Sequence, residues 1–279
     1  MEMKEFLKRL YDNNTEMSRN YPTKIMTQDF LKQLSNFLFP VRKEVTINPG
    51  KIDVEWEHLK LQLIELLMPL KPFLKRDENE IVNDYFNLIP NIYNQLMFDA
   101  KAIYQFDPAA HSIEEIVLAY PGFQAIMIYR LAHPLYNFDI PILPRLFTEF
   151  VHTNTGIDIN PGAKIGKSFF IDHGTGIVIG ETTVIGDNVK IYQGVTLGAL
   201  NVKKEKAKIK RHPTIEDNVI IYSGTTILGG NTKIGHDSIV GGNVWLTQSL
   251  EPYSMVYNKS EIRVRKGNER SSEPINFSI

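Results

Sequence analysis

The sequence predicts an α+β protein, with α-helices in its N-terminal half and a solenoid of short strands in its C-terminal half. The strongest observation is a six-residue repeat between Ile159 and Glu251, in which an aliphatic residue opens each hexad. Of the 18 glycines, 16 follow residue 151, so the composition changes sharply at mid-chain. Before that point the apolar residues recur at helical spacing. We expect a helical domain at residues 1–153, a β-domain at 154–265 and a flexible tail at 266–279.

Local signals set the order of the N-terminal helices. Pro90 interrupts a long apolar pattern and predicts a kink or a break. Asp107 precedes a proline and therefore ends the helix before it. Ser112 and Glu115 have the spacing of a capping box ahead of the next helix, and residues 123–136 predict another. The apolar faces of these helices predict the core of a bundle and contacts between subunits.

The six-residue repeat predicts a solenoid, because a period of six fits neither a helix nor the alternation of a simple strand. A short strand followed by a sharp corner fits it, with the aliphatic residues stacked into one core. Twelve full hexads at three per coil give about four coils of a triangular prism. The repeat slips by two residues between Ile171 and Ile179. Glycine and asparagine are expected at corners, where the backbone adopts positive φ.

One long interruption separates the hexad fragment at Leu197 from the next full hexad. It runs from Gly198 to Pro213, and its middle is strongly basic. A solenoid cannot bury such a segment, so the segment must protrude from one corner as a loop. It is either a solvated insertion or, as we favour, an active-site arm that delivers Arg211 and His212 to a neighbouring site.

Composition excludes several classes of function. The net charge of −1 and the pI of about 6.7 do not favour nucleic acid or a membrane surface as a partner. The chain contains no cysteine, which excludes a disulfide, a thiol nucleophile and a cysteine-ligated zinc. The N-terminus lacks an apolar signal core, and no stretch has the length of a membrane span. We expect a cytoplasmic protein.

Four motifs narrow the prediction to a family. The stretches TGIDINPGAKIG, IDHGTGIVIGET, QGVTLG and RHPTI occur in the order seen in serine O-acetyltransferases of the hexapeptide-repeat acyltransferase superfamily, which this chain resembles. The resemblance spans about residues 100 to 260. It implies a left-handed parallel β-helix, although the general preference for right-handed crossovers would predict the opposite hand. The basic arm departs from the family, in which this loop is commonly short and glycine-rich.

The residues themselves suggest acid–base chemistry at His173. Asp158 precedes it by fifteen residues, close to one coil of about eighteen, so the two could be stacked neighbours. A carboxylate orients an imidazole and stabilises the imidazolium that forms when it acts as a base. Arg211 offers a planar fork for a substrate carboxylate, and Asp107 and Asp172 can receive an ammonium group.

The resemblance adds roles to these positions. It implies direct acetyl transfer from acetyl-CoA to L-serine, with no permanently bound cofactor and no metal. In the family the serine site is lined by residues that match Asp107, Pro108, Ala109, Asp172, His173, Arg211 and His212. Either His212 or a backbone N–H of residues 194–198 is a candidate donor to the tetrahedral oxyanion. We expect pantetheine at Gly198, Ala199, Ser223, Gly224 and Gly242, and the CoA phosphates at Arg263 and Arg265.

The resemblance also implies partners. Flat prism faces predict a homotrimer with sites between subunits, and family members pair two trimers into a hexamer. L-cysteine is expected as a feedback inhibitor that binds at the serine site. The C-terminal Ile279 is expected to enter the active site of O-acetylserine sulfhydrylase, as in the family, although an idle tail is the alternative.

Three other functions stay open at this point. A zinc lyase on the same prism, resembling γ-type carbonic anhydrase, would need several histidines to converge on one metal. A related acetyltransferase could use a different hydroxyl acceptor, such as a sugar or an antibiotic. A non-catalytic scaffold could act through its tail, in which case His173 would be dispensable.

Overall fold

The structure is a computed structural model that describes residues 3–18, 21–42, 49–200 and 209–259. The middle of the basic arm and the C-terminal tail lie outside these ranges, and so do the predictions made for Arg263, Arg265 and Ile279. Among the helices of the described residues, none combines the length and the apolar surface that a bilayer-spanning segment requires.

Helices occupy the N-terminal half, as the sequence predicts. They are α1 (Met3–Ser18), α2 (Lys24–Leu38), α3 (Ile52–Leu67), α4 (Glu78–Phe106), α5 (Ile113–Ala119), α6 (Pro121–Asn137) and α7 (Leu143–Thr155). The predicted cap of α5 is present, since Ser112 Oγ accepts a hydrogen bond of 3.1 Å from the N–H of Glu115. The helix α4 continues through Pro90, so no break occurs there. Buried Phe86, Ile89 and Ile92 anchor both sides of the proline and stabilise the continuous helix.

Short parallel strands form the C-terminal half. They are β1 (Asp158–Ile159), β2 (Lys164–Ile165), β3 (Phe170–Asp172), β4 (Val178–Ile179), β5 (Val184–Ile185), β6 (Lys190–Tyr192), β7 (Thr196–Gly198), β8 (Thr214–Ile215), β9 (Ile220–Ile221), β10 (Thr226–Leu228), β11 (Lys233–Ile234), β12 (Ile239–Val240), β13 (Trp245–Leu246) and β14 (Met255–Val256). The first face of the prism contains β1, β4, β7, β10 and β13. The second contains β2, β5, β8 and β11, and the third contains β3, β6, β9, β12 and β14.

These strands make five coils of a left-handed parallel β-helix, which confirms the predicted fold class. The estimate of about four coils was one too low. The fragment at Leu197 is a complete strand whose coil resumes beyond the arm, and Leu250 and β14 extend the last coil. Aliphatic residues stack in register along each face, for example Ile159 on Ile179 and Ile179 on Leu197.

Polar residues with positive φ form the corner between the second and third faces. Asn188, Asn218 and Asp237 have φ of +59°, +61° and +56°. The side chains form a ladder along the prism, because Asn188 Nδ2 donates to Asn218 Oδ1 and Asn218 Nδ2 donates to Asp237 Oδ1, each at 3.1 Å. The expected use of asparagine where the corner backbone adopts positive φ is therefore observed.

One buried ion pair joins the helices to the prism. The Asp99 carboxylate of α4 accepts hydrogen bonds from Nε and Nη2 of Arg130 in α6, at 2.5 and 2.9 Å. The same carboxylate accepts the backbone N–H of Phe169 at 2.9 Å, and Arg130 donates to the carbonyl of Gly166 at 2.7 Å. The Asp99 side chain is 0% exposed and the Arg130 side chain 3% exposed. This cluster therefore fixes α4 and α6 to the first coil.

Removing the arginine should strongly destabilise the protein. The substitution Arg130→Met leaves the Asp99 carboxylate buried without a cation, and we expect a loss of about 3–5 kcal/mol in the free energy of unfolding. Urea denaturation measures it. The control is Lys75→Met, which breaks an ion pair with Asp139 in which both side chains are more than half exposed, and should cost about 1 kcal/mol or less. Equal losses would contradict a special role for the buried pair.

Candidate functional site

His173 lies on a bulge at the corner between the third and first faces. Six residues separate Ile171 from β4, whereas four separate Ile191 from β7 on the next coil. The two-residue slip in the repeat is therefore an outward loop. His173 has φ of +55° and a side chain that is 71% exposed. Its Nδ1 lies 3.8 Å from an oxygen of Asp172, so an imidazole and a carboxylate are presented together to solvent.

Asp107 joins this corner from the helical domain. It caps the end of α4, and its carboxylate accepts hydrogen bonds of 2.8 Å from the N–H of Ala109 and from the hydroxyl of Tyr120. Burial first, then the hydrogen bond to Asp107 and the charges of Asp107, Glu115 and Asp172, raise the pKa of Tyr120 to about 12. The ring of Phe106, the residue before Asp107, meets the ring of Phe170 at 6.4 Å, so Asp107 lies close to the strand that ends at Asp172. Pro108 and Ala109 form the turn that follows.

Tyr192 is a second phenol at this corner. It pairs with Asp172 in the register of β3 and β6, and its ring stacks on that of Tyr222 at 5.1 Å. Burial, followed by Tyr222, Asp172 and Asp107, raises its pKa. Neither Tyr120 nor Tyr192 was predicted from the sequence as a site residue. Aligning the repeats would have placed Tyr192 one coil from Asp172.

Asp158 lies on β1 at the start of the first face. In this chain its carboxylate accepts a hydrogen bond of 3.2 Å from Arg145, which also pairs with Glu149. The predicted stacking of Asp158 beside His173 stays a prediction. Ligand atoms of Glu149, His152 and Asp158 lie within 4.8 Å of one another, the one such group among the described residues that could hold a metal. Because Arg145 already supplies a cation to two of these carboxylates, the donor set does not favour a metal ion.

Arg211 and His212 lie at a different corner, between the first and second faces. The hydroxyl of Thr182 accepts the N–H groups of Arg211 at 2.9 Å and of His212 at 3.1 Å. The guanidinium of Arg211 pairs with Glu181, which also accepts a hydrogen bond from Tyr136. The end of the arm is therefore folded back onto the corner. Sequence reasoning placed Arg211 and His212 on an arm but did not identify Glu181 and Thr182 as their supports.

The ring of His212 is held in one tautomer. Its Nδ1 accepts the backbone N–H of Thr182 at 3.0 Å, so a neutral ring carries its proton on Nε2. Burial first, and then the charges of Arg211 and Lys210, lower its pKa to about 4. A Cβ at Gly180 would lie 2.0 Å from Cδ2 of the ring, so only glycine leaves room for it. At neutral pH His212 is therefore a fixed N–H donor and not a base.

The predicted pantetheine residues divide between these two corners. Ser223, Gly224 and Gly242 lie on the His173 corner, and Gly198 and Ala199 lie where the arm leaves the other. A cavity of about 500 Å³ lies at this second corner, lined in part by Leu200 and Lys210. One prism face, which includes β4, separates the two corners. A single chain therefore groups Asp107, Asp172 and His173 at one corner and Arg211 and His212 at the other.

Known proteins share this architecture and these motifs. Residues 71–127 match the family model "Serine acetyltransferase, N-terminal". A serine acetyltransferase of Staphylococcus aureus is 48% identical over 158 residues, which cover 57% of this chain and 72% of that protein. A solved structure of Entamoeba histolytica serine acetyltransferase 1 in complex with L-cysteine superposes with a TM-score of 0.75 and 37% identity, covering 82% of this chain and 86% of that one.

The chain belongs to the serine acetyltransferase family. A further family member, the plasmid serine acetyltransferase of Synechococcus elongatus, is 50% identical over 203 residues, or 71% of this chain. The match covers 62% of the length of that cyanobacterial relative. Membership agrees with the motifs and with the β-helix.

The neutral state of His212 can be tested by titration. Nitrogen-15 NMR should show a neutral ring with its proton on Nε2 from pH 8 down to about pH 5, since the folded pKa lies near 4. Because an unfolded histidine binds its proton below about pH 6.5, the free energy of unfolding should fall as the pH drops from 6.5 to 4.

The variant His212→Gln is the control for both measurements. It identifies the NMR signals by their loss, and its stability should fall less over the same pH interval. A titration midpoint near 6.5 for His212 would contradict the fixed neutral tautomer.

Proposed function

We propose that this chain transfers the acetyl group of acetyl-CoA to the hydroxyl of L-serine, which gives O-acetyl-L-serine and CoA in the biosynthesis of cysteine. The observation that carries the proposal is the grouping of His173 with the Asp107 and Asp172 carboxylates near one corner of the prism, where the ring of Phe106 meets that of Phe170. An amino acid with a free hydroxyl fits such a corner, because its ammonium meets anions while its hydroxyl meets a base. Family membership supports the same reaction.

The ammonium and the carboxylate of serine match charged residues at the two corners. Asp107 and Asp172 bind the serine ammonium, and Tyr120 holds Asp107 in place through its hydroxyl. Arg211 binds the serine carboxylate through its planar fork. Because Glu181 already pairs with Arg211 in this chain, the guanidinium is oriented before the substrate binds.

His173 acts as the general base, and Asp158 stabilises the imidazolium that it becomes. The serine hydroxyl gives its proton to His173 while its oxygen attacks the carbonyl carbon of the thioester. The tetrahedral oxyanion accepts a hydrogen bond from Nε2–H of His212, whose donor is fixed by Thr182. The C–S bond then breaks, and the imidazolium of His173 returns the proton to the thiolate. The transfer is direct, with no acyl-enzyme.

Acetyl-CoA binds in a groove between subunits. Gly194 and Gly224, which have positive φ, carry no side chains of their own at the His173 corner, which suits the close approach of pantetheine. Gly198 and Ala199 of a neighbouring subunit form the other wall, and Ser223 and Gly242 continue the first. Arg263 and Arg265, outside the described residues, are proposed to bind the phosphates.

The separation of the two corners supports a homotrimer in which each site takes His173 from one subunit and Arg211 with His212 from the next. A cyclic arrangement of three prisms closes such contacts without leaving an unpaired surface. Two trimers are proposed to pair through their helical domains. L-cysteine, which the Entamoeba relative binds, is proposed as an inhibitor at the serine site. The partner role of Ile279 and the cytoplasmic location stay predictions.

Activity should depend on serine and on His173. We expect purified protein to release thiol from acetyl-CoA only when L-serine is added, and His173→Ala to lower kcat about 10²–10⁴-fold, as loss of a general base does. The matched control is His236→Ala, since His236 also lies beside an aspartate on the prism, with Nδ1 2.7 Å from Asp237. Release with another hydroxyl acceptor would overturn the serine assignment, and no release with any acceptor would favour the scaffold alternative.

Subunit mixing tests the shared site. His173→Ala and Arg211→Met should each be inactive alone, but mixed trimers that carry both variants should regain about one third of wild-type activity, because one of three interfaces has both residues intact. Differently tagged chains, co-expressed and purified through both tags, allow the assay. Mixed trimers without activity would contradict a site built from two subunits.

A further inference from the structure

Gln193 occupies a column of small residues at the His173 corner. Successive coils place four dipeptides above one another, linked by hydrogen bonds from Gly194 N to Thr175 O at 3.0 Å, from Gly224 N to Gln193 O at 2.9 Å and from Asn243 N to Ser223 O at 2.9 Å. The first residue of each dipeptide is Thr175, Gln193, Ser223 or Gly242. Gln193 therefore has the longest side chain in a column that otherwise becomes smaller along the prism.

The carboxamide of Gln193 has an unsatisfied acceptor. Its Oε1 is buried and has no hydrogen-bond partner among the described residues. Folded proteins rarely bury such an atom without a role for it. Within the same part of the chain, the other buried oxygens of this kind belong to Gln62 in α3 and Thr183 beside β5. Neither lies on the His173 corner, so among the described residues Gln193 alone brings an unused acceptor to that corner.

Gln193 lies between Asp172 and the residues proposed to bind pantetheine. Gln193 directly follows Tyr192, which pairs with Asp172 one coil above. Below it come Ser223 and Gly224, where pantetheine is proposed to bind. Gly194, with φ of +73°, leaves the adjacent backbone without a side chain. A ligand that reaches from the glycine column to His173 must therefore pass Gln193.

The chemistry of the two substrates identifies the donor. The serine ammonium already has Asp107 and Asp172, and the serine hydroxyl gives its proton to His173. The donor that remains near the thioester is the N–H of the cysteamine amide, two carbons from the sulfur of acetyl-CoA. Resting on the proposed function, we infer that Gln193 Oε1 accepts this N–H and thereby sets how far the acetyl group reaches toward His173.

A carboxamide suits this task better than a carboxylate. A carboxylate would accept the same hydrogen bond, but its charge would oppose both the oxyanion and the leaving thiolate. Gln193→Glu should therefore lower kcat. Gln193→Met keeps the length of the side chain and removes the acceptor. It should lower kcat/KM for acetyl-CoA about tenfold or more, as loss of a buried hydrogen bond to a substrate does, with an unchanged KM for serine.

Two acetyl donors of equal length distinguish the loss of this hydrogen bond from a general change in packing. S-acetyl-N-acetylcysteamine carries the amide N–H, and S-acetyl-2-acetoxyethanethiol has an ester oxygen in its place. Wild-type protein should prefer the amide donor about tenfold. Gln193→Met should lose this preference by slowing the amide donor alone, which a double-mutant cycle of enzyme and donor measures.

The outcomes are distinct. The control Gln33→Met, an exposed glutamine of α2, should leave all rates unchanged, and thermal unfolding checks that each variant is folded. The inference is wrong if Gln193→Met keeps the wild-type kcat/KM for acetyl-CoA, or if it slows the amide and ester donors equally, while wild-type protein still acetylates serine. If wild-type protein transfers no acetyl group to serine, the proposed function fails as well.

Discussion

The buried pair of Asp99 and Arg130 is the interaction on which the proposed site depends. It holds α4 against the first coil, and α4 carries Asp107 about two helical turns beyond Asp99. On the prism side, the same cluster binds the N–H of Phe169, three residues before Asp172. Asp107 and Asp172 are thus each connected to this ion pair through a short stretch of chain. Such a pair adds little net stability, so its value here lies in the geometry that it fixes.

A solenoid offers few places for chemistry, because each coil repeats the previous one. The chain departs from the repeat at two corners. The two-residue bulge after Ile171 raises His173 above the column, and the interruption after Gly198 supplies Arg211 and His212. Both departures leave the stacked aliphatic core intact, since β4 and β8 return to register. The regular core therefore permits function to be added at corners without a cost in packing.

Much of the fold and part of the proposed site could be predicted from the sequence. What could be predicted either repeats along the chain or depends on residues that are adjacent in sequence. The hexads at Ile159 and Ile179 reveal the prism because the core repeats with the chain. The motif around His173 indicates a candidate base because Asp172 is adjacent to it in sequence. The tautomer of His212 could not be predicted, because it depends on Thr182, thirty residues away and brought into contact only by the coiling. Of the kink or break considered at Pro90, the break does not occur, because packing around α4 outweighs one missing hydrogen bond.

The two histidines of the proposed site have opposite roles, and their surroundings explain the division. His173 is exposed on a bulge, where a proton acceptor is open to a substrate, and the proposed mechanism pairs it with Asp158. His212 is buried beside cations, and its Nδ1 accepts a backbone N–H. The ring therefore resists protonation and keeps its one N–H donor on Nε2. One imidazole can then take the proton while the other stabilises the oxyanion without competing for that proton. Because the two lie on different corners of one chain, the proposed mechanism brings them together across two subunits. In that mechanism the catalytic site forms only when the prisms assemble.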